Sequence, residues 1–378
     1  MLQYLRTHTW LQLLLLSVVS GALFTISALQ HGWMNEYYSA AAQAGATGWK
    51  AFFYFSFDSA NALSIDKPPL GIWPSSIAVA LFGFSWLAIA APHIIAGIGT
   101  TLLLYLLVRK ITGKRYGLLA VVLLLSTPIV SVIFGYNQPD SILLLLLTAS
   151  LYTFYIFLAE GTARWLIVTA VLLGLGAMTK SLQVIPLVAV YGAAFLWIRK
   201  GKIKKDSAAL IVSGGVFALL ALWWPLIVSL TPPSERPYVG STTDNSPWSL
   251  LFGYNGVERL TNSEQVRTQD DLRFGGEPSV LRLYNEEFGP NSGWYLLLLI
   301  PAAIGMFIRT KAPPKRERRI VGLSLGWALV YGAIISGMHG IVHGYYSSVL
   351  AVPVALCAAF ALKWSIEWYV RKTPKRWA

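Results

Sequence analysis

Asp66 and Lys67 stand side by side ahead of a diproline, Pro68-Pro69, with Leu70-Gly71-Ile72-Trp73 following. The run sets a carboxylate beside an ammonium at the end of an apolar stretch, and the prolines bar an ordinary helix from passing through. Charges beside a membrane are seldom decorative. Two further polar clusters sit in similar places. Asn137-Gln138-Pro139-Asp140 precedes the apolar run Ser141-Ile142-Leu143-Leu144-Leu145, and Thr179-Lys180-Ser181-Leu182-Gln183 interrupts another. A helix-capping aspartate would look like Asp140, because a carboxylate at an N-terminus satisfies free amides and the dipole. The bland reading of Lys180 is a lysine snorkelling to headgroups. Acids and lysines gathered on one membrane face suit displacement of a lipid phosphate. A carboxylate accepts a proton from an incoming hydroxyl, lysines stabilise the departing phosphate, and neither group needs a nucleotide or a metal.

The elements that position these residues follow from hydropathy. With 55% hydrophobic and 12% charged residues, the composition is too apolar for a soluble globular chain. Windows of roughly 20 residues mark ten candidate spans: 9–30, 87–108, 116–135, 141–159, 164–180, 184–198, 208–230, 293–308, 320–337 and 346–369. The stretch near 69–85 carries Pro69 and Pro74, is short, and reads as an interfacial or re-entrant helix. With the N-terminus inside, this alternation puts most basic residues on the cytoplasmic side, among them Arg109, Lys110, Lys114, Arg115, Arg199, Lys200, Lys315, Arg316, Arg318 and Arg319. Most acids fall outside, where two long loops lie. Residues 31–67 are studded with aromatics, including Trp33, Tyr37, Tyr38, Trp49 and Phe52, as interfacial helices are. Residues 231–292 carry Tyr254, Asn255, Arg259, Asp270 and Asp271 and read as a lid or a plain connector. The whole of 1–378 is one transmembrane unit, and its function is expected to face outward.

The net charge of +13 sits in short loops flanking spans, where topology and anionic lipid explain it and nucleic acid does not. The single cysteine, Cys357, excludes an intramolecular disulfide. The first apolar segment is expected to stay as a span, since it lacks a convincing cleavage site. His339 and His343 are four apart, but Gly340 between them and Gly344 after them argue against one helix face binding a metal. No metal site or cofactor is expected, although a divalent metal is left open.

Several motifs occur in a shared order: Asn35-Glu36-Tyr37-Tyr38, Trp49-Lys50-Ala51-Phe52-Phe53, Ser56-Phe57-Asp58, Asp66-Lys67-Pro68-Pro69-Leu70, Asp140, Thr179-Lys180-Ser181-Leu182-Gln183, Phe252-Gly253-Tyr254-Asn255-Gly256 and His343-Gly344-Tyr345-Tyr346. Together they resemble the bacterial protein mannosyltransferase and aminoarabinose transferase superfamily, in its YkcB-like branch. The resemblance runs from about residue 30 to 355 and implies an all-α polytopic membrane protein of the GT-C glycosyltransferase fold. It further implies an inverting transferase that takes one sugar from a polyprenyl-phosphate carrier at the outer face of a bacterial plasma membrane. The acceptor would be a cell-envelope glycan, lipid or protein. On this resemblance Lys67 and Lys180 hold the donor phosphate, with His343, Tyr345 and Tyr346 at the cavity mouth. Asn35, Tyr38, Asn137, Gln183, Tyr254 and Asn255 are expected to line the substrate cavity.

One departure stands out. Family members commonly open the first outer loop with an Asp-Glu pair whose aspartate is the favoured base, whereas this chain reads Met34-Asn35-Glu36. The base role then passes to Glu36, Asp58, Asp66 or Asp140. Members of the branch also continue into further spans and an outer domain, which leaves acceptor recognition either shifted or supplied by a separate partner. The rival reading is a transporter or flippase of lipid-linked sugar, although transporters place polar groups at midplane depth and these cluster at one surface.

Overall fold

The computed structural model describes residues 2–32, 34–261, 275–308, 313–339 and 342–372. Trp33, Asp270 and Asp271 lie outside the described residues. The fold is a bundle of helices: α1 (Leu2–Gln30), α2 (Glu36–Thr47), α3 (Trp49–Tyr54), α4 (Trp73–Phe82), α5 (Trp86–Thr112), α6 (Lys114–Leu125), α7 (Pro128–Phe134), α8 (Pro139–Glu160), α9 (Ala163–Lys180), α10 (Ile185–Ile198), α11 (Ile203–Leu230), α12 (Leu299–Phe307), α13 (Lys315–Gly337) and α14 (Ser348–Lys372). Among the described residues only two isolated β-bridges form, Ser56 with Ser64 and Leu63 with Tyr238.

Seven helical runs among the described residues are long and apolar enough to cross a membrane, and an eighth counts if the bent pair α6 and α7 is one span. The ten straight spans expected from hydropathy are therefore not all recovered. Residues 116–135 bend by 76° between α6 and α7, where Pro128 opens α7 and cannot donate to the preceding turn. The apolar run Tyr295–Phe307 is too short to cross alone. The run Ala163–Ile198 passes the length test as one stretch, yet it doubles back. Ser181 has φ 45°, a left-handed backbone, and after α10 the Arg199 guanidinium lies 5.0 Å from the Phe157 ring, near the end of α8.

Most of the buried apolar residues form one large cluster. Close backbone approach tightens it at Gly97, where a Cβ would lie 2.5 Å from the Phe24 ring and 2.6 Å from that of Phe134. Trp10, Leu14, Ile211, Leu219 and Leu230 are exposed, as side chains facing lipid tails would be.

The two ends of the bundle differ. One end carries Arg109, Lys110, Arg199 and Lys363. There Arg199 binds Asp206 through two nitrogens at 2.6 and 3.0 Å, and Lys363 pairs with Glu317 and Glu367. At the opposite end of α8 and α9 stand Asp140 and Lys180, beneath the segments 34–72 and 231–261. Those segments are pinned to the helices. Trp73 Nε1 donates to Phe52 O (2.7 Å) and Trp224 Nε1 to Phe53 O (2.8 Å). Farther along, the buried Arg282 donates to the carbonyls of Gly275, Gly276, Ile335 and Met338.

Candidate active site

Two ion pairs define the site. In the first, Lys67 Nζ lies 2.5 Å from Asp66 Oδ2 on the irregular chain before the 3-10 turn Pro69–Gly71. Pro68, at φ −61° and ψ 150°, leads from this loop into the turn. The loop is fixed from two sides: Asp66 N–H donates to Tyr37 Oη (3.2 Å), and Asn255 Nδ2 donates to Asp66 O (2.8 Å). Asp66 Oδ1 is buried and has no hydrogen-bond partner among the described residues.

The second pair joins two helices. Asp140 lies in the first turn of α8 and Lys180 ends α9, so each charge complements its helix dipole. Lys180 Nζ donates to both Asp140 oxygens, at 3.0 and 2.9 Å. Both side chains are about 5% exposed. Asp140 is thus not a cap, since Gln138 holds the N-cap position without a side-chain bond, and the buried Lys180 does not snorkel.

The pairs share one environment. Lys180 Nζ stands 4.7 Å from the Tyr346 ring and 5.4 Å from that of Tyr345. Lys67 Nζ is 5.3 Å from the Tyr254 ring, and the Arg259 guanidinium is 4.4 Å from the same ring. Burial pushes the Lys67 ammonium down to about 8, against the pull of Asp66, and repulsion from Arg259 and Lys180 adds to the lowering. Burial first, and then the Asp66 carboxylate, hold the hydroxyls of Tyr37, Tyr38 and Tyr254 above the usual phenol range. These phenols therefore stay neutral donors at physiological pH. Among the charged groups acting on Lys67 and these tyrosines, three are cations (Lys67, Lys180, Arg259) and two are carboxylates (Asp66, Asp140). One positive charge is in excess, as an anion receptor requires.

The remaining expected residues are spread unevenly about this centre. Tyr38 is buried against Asp66 and Asp140, and the His343 ring stacks on Tyr345 at 5.1 Å. Gln183 accepts a short hydrogen bond from Tyr331 at its carbonyl. Asn35 and Asn137 do different work from lining a cavity. Asn35 caps α2 by accepting from Tyr38 N–H (3.2 Å), and Asn137 clamps it, accepting from Asn35 N–H (2.7 Å) and donating to Ser39 Oγ (3.0 Å). Asp58 and Glu36 are not drawn into the pairs. Asp58 accepts from the backbone N–H groups of Ala62 and Leu63 (3.3 and 3.2 Å), closing a turn, and the exposed Glu36 acts on Tyr136.

Sequence reasoning passed over two members of the cluster, Tyr37 and Arg259. Arg259 Nε donates to Tyr254 O (3.2 Å), and its Nη1 is buried with no partner among the described residues. The available signal was its position five residues past Tyr254, just beyond the Phe252–Gly256 motif. Among the described residues no group of three His, Cys, Asp or Glu could hold a metal ion.

The fold is of the GT-C type, shared with two solved structures. ArnT from Cupriavidus metallidurans, solved bound to undecaprenyl phosphate, matches 98% of this chain and 61% of its own at a TM-score of 0.64 and 18% identity. The Archaeoglobus fulgidus oligosaccharyltransferase, tethered to an acceptor peptide, matches 94% and 50% at 0.61 and 16%. At the level of sequence, residues 66–224 match the family described as dolichyl-phosphate-mannose-protein mannosyltransferase. The chain is 33% identical over 249 residues to the putative mannosyltransferase YkcB of Bacillus subtilis (strain 168), which is 66% of this chain and 35% of that protein. The motif resemblance is therefore borne out, and the chain spans about a third of the length of the curated relatives it matches.

Proposed function

We propose that this protein is an inverting glycosyltransferase that moves one monosaccharide from a polyprenyl-phosphate carrier to a cell-envelope acceptor, at the extracytoplasmic face of a bacterial inner membrane. The observation that carries this reading is the gathering of three cations, the buried Lys67 and Lys180 and the half-buried Arg259, against the rings of Tyr254 and Tyr346 at the end of an apolar bundle. Two of the three cations already face a carboxylate, and Arg259 Nη1 is left without a partner among the described residues, so an anion would complete the set. The undecaprenyl phosphate held by ArnT, which shares the fold, is an anion of that class. Charge supports the choice of face, because the basic end of the bundle lies opposite the site and positive ends tend to stay in the cytoplasm.

In this reading Lys67, Lys180 and Arg259 bind the donor phosphate, with Tyr345 and Tyr346 beneath Lys180. The acceptor hydroxyl attacks the anomeric carbon from the face opposite the phosphate. The new oxygen–carbon bond forms as the carbon–phosphate oxygen bond breaks, and the hydroxyl proton goes to a carboxylate. Asp66 suits that role because Oδ1 is unengaged. Asp140 does not, since both of its oxygens are engaged by Lys180. Polyprenyl phosphate leaves with its charge balanced by the cations.

The test uses purified protein in lipid nanodiscs and a panel of undecaprenyl-phosphate sugars labelled in the sugar. Release of undecaprenyl phosphate with inversion at the transferred carbon is expected, and loss of it in Lys67→Ala. Undiminished release in both Lys67→Ala and Asp66→Asn would overturn the assignment.

A further inference from the structure

His93 is fully buried in α5, one residue after Pro92, and the chemistry above makes no use of it. Its ring connects the two halves of the site. Nε2 lies 3.1 Å from Ser75 Oγ in the first turn of α4, the helix that follows the Asp66-Lys67 loop. Nδ1 lies 2.5 Å from the Oγ of Ser141, the residue after Asp140. The same two segments meet directly where Gly71 packs on Pro139, since a Cβ at residue 71 would lie 2.6 Å from the Pro139 Cβ. The loop carrying Lys67 and the helix start carrying Asp140 are thus joined at a backbone contact and through one imidazole.

Proton accounting makes that linkage specific. Ser75 Oγ is placed to donate to Ile89 O (2.9 Å), and Ser141 Oγ to Gln138 O (2.9 Å). If both hydroxyl protons went there, both serine oxygens would be acceptors facing the ring, and a neutral imidazole has a single N–H. The Gln138 carbonyl also accepts from the ring, so the single N–H serves the side of Gln138 and Ser141 while the other nitrogen accepts from Ser75, a bridge that no aliphatic side chain of similar volume provides. A wholly buried polar chain of this kind is rigid when each member is satisfied.

We propose that His93 is a positioning residue: by bridging Ser75 and Ser141 it sets the spacing between Lys67 and the Asp140–Lys180 pair, and so the geometry in which one phosphate meets both lysines. The proposal rests on the phosphate-donor reading above. It predicts a particular coupling. Two cations at the correct spacing share one phosphate, so removing Lys67 costs much while His93 is present. Once the spacing is lost, Lys67 contributes little, and its removal costs little more.

The experiment measures binding of undecaprenyl phosphate to the full chain in nanodiscs, beside its melting temperature. His93→Ala is expected to weaken binding about tenfold or more. The penalty of Lys67→Ala is expected to shrink to within about threefold in the His93→Ala background. His93→Asn, whose amide reaches the Nδ1 position and keeps the Ser141 link, is expected to recover most of the affinity. Should His93→Ala fail to fold, Ser141→Ala removes the same link without opening a ring-sized cavity and is read in the same way. An unchanged Lys67→Ala penalty in either background overturns the proposal, because a purely structural histidine would lower stability and leave that penalty alone. If the parent chain itself does not bind undecaprenyl phosphate, the donor reading falls and takes this inference with it. If the parent binds and all the position 93 and 141 variants equal it, only this inference falls.

Discussion

The two lysine–carboxylate pairs of the site are chemically alike and physically opposite. Asp140 and Lys180 come from the ends of two packed helices, and every carboxylate oxygen is matched. In that respect the pair resembles Arg199–Asp206 at the other end of the bundle, where both oxygens are also engaged. Asp66 and Lys67 come from adjacent residues of a loop, with one carboxylate oxygen left over and the ammonium pushed down to about 8. The matched pair has no spare carboxylate oxygen, so in the proposed reaction Asp140 holds Lys180 in place and does not take a proton. An unsatisfied one keeps capacity for a ligand or a proton, which is the signature of a working site.

The sharpest way to break this contrast is to neutralise each acid without changing its shape. Asp66→Asn should lower turnover by about 10²–10⁴-fold, the usual contribution of a general base, while binding of undecaprenyl phosphate holds or tightens because a negative charge beside Lys67 is gone. Asp140→Asn should act on stability and on the placement of Lys180, with a much smaller effect on the chemical step at saturating donor. Single-turnover rates and direct binding, measured side by side, decide it. Equal kinetic losses in the two variants would erase the distinction.

A second test concerns the cost of a broken pair. Lys180→Met leaves the Asp140 carboxylate buried and unmatched, and should destabilise the protein by about 3–5 kcal/mol. Adding Asp140→Leu should restore most of that stability, because an apolar pair of similar volume replaces an ionic one. The double variant should not regain affinity for undecaprenyl phosphate, since the cation is still missing. Recovery of binding together with stability would mean that Lys180 only holds the helices. Arg259→Gln should be milder, weakening binding about tenfold, within the range of one charged hydrogen bond, and flattening its salt dependence.

Much of this was legible in the chain because charge inside apolar sequence is conspicuous. Lys67, Asp140 and Lys180 stand out since each interrupts or borders a hydrophobic run. Arg259 did not, because an arginine in a polar loop is ordinary, and only the fold brings it over Tyr254. Which lysine meets which acid was also unreadable, as the Asp140–Lys180 pair depends on how α8 and α9 pack. Asn35 was misleading for a related reason. In a motif it looks like a substituted catalytic acid, whereas in space it is a helix cap, a role its position just before Glu36 already allowed. Among the helices, Pro128 was a visible signal for the bend that ended one expected straight span, while the return of the chain at Ser181 agrees with the break that hydropathy puts between 164–180 and 184–198.

The smallest expected effect distinguishes the pairs by pH. In the unliganded fold Lys67 titrates near about 8, against an ordinary value of 10.5. Binding an anionic phosphate favours the ammonium and raises that value, so above about 8 binding must be accompanied by proton uptake. Affinity for undecaprenyl phosphate should therefore be flat below about pH 8 and fall above it, by at most about tenfold per pH unit. Stability should move the other way over the same range. Between about 8 and 10.5 the unfolded chain holds this proton more often than the fold does, so the contribution of Lys67 to unfolding free energy rises with pH there. Lys67→Met should abolish both slopes, and Lys67→Arg, whose charge persists throughout, should keep affinity flat across the range. Binding that stays level to pH 10 in the parent chain would show that the loop lysine is as fully committed to its carboxylate as the helix lysine is, and the contrast between the two pairs would vanish.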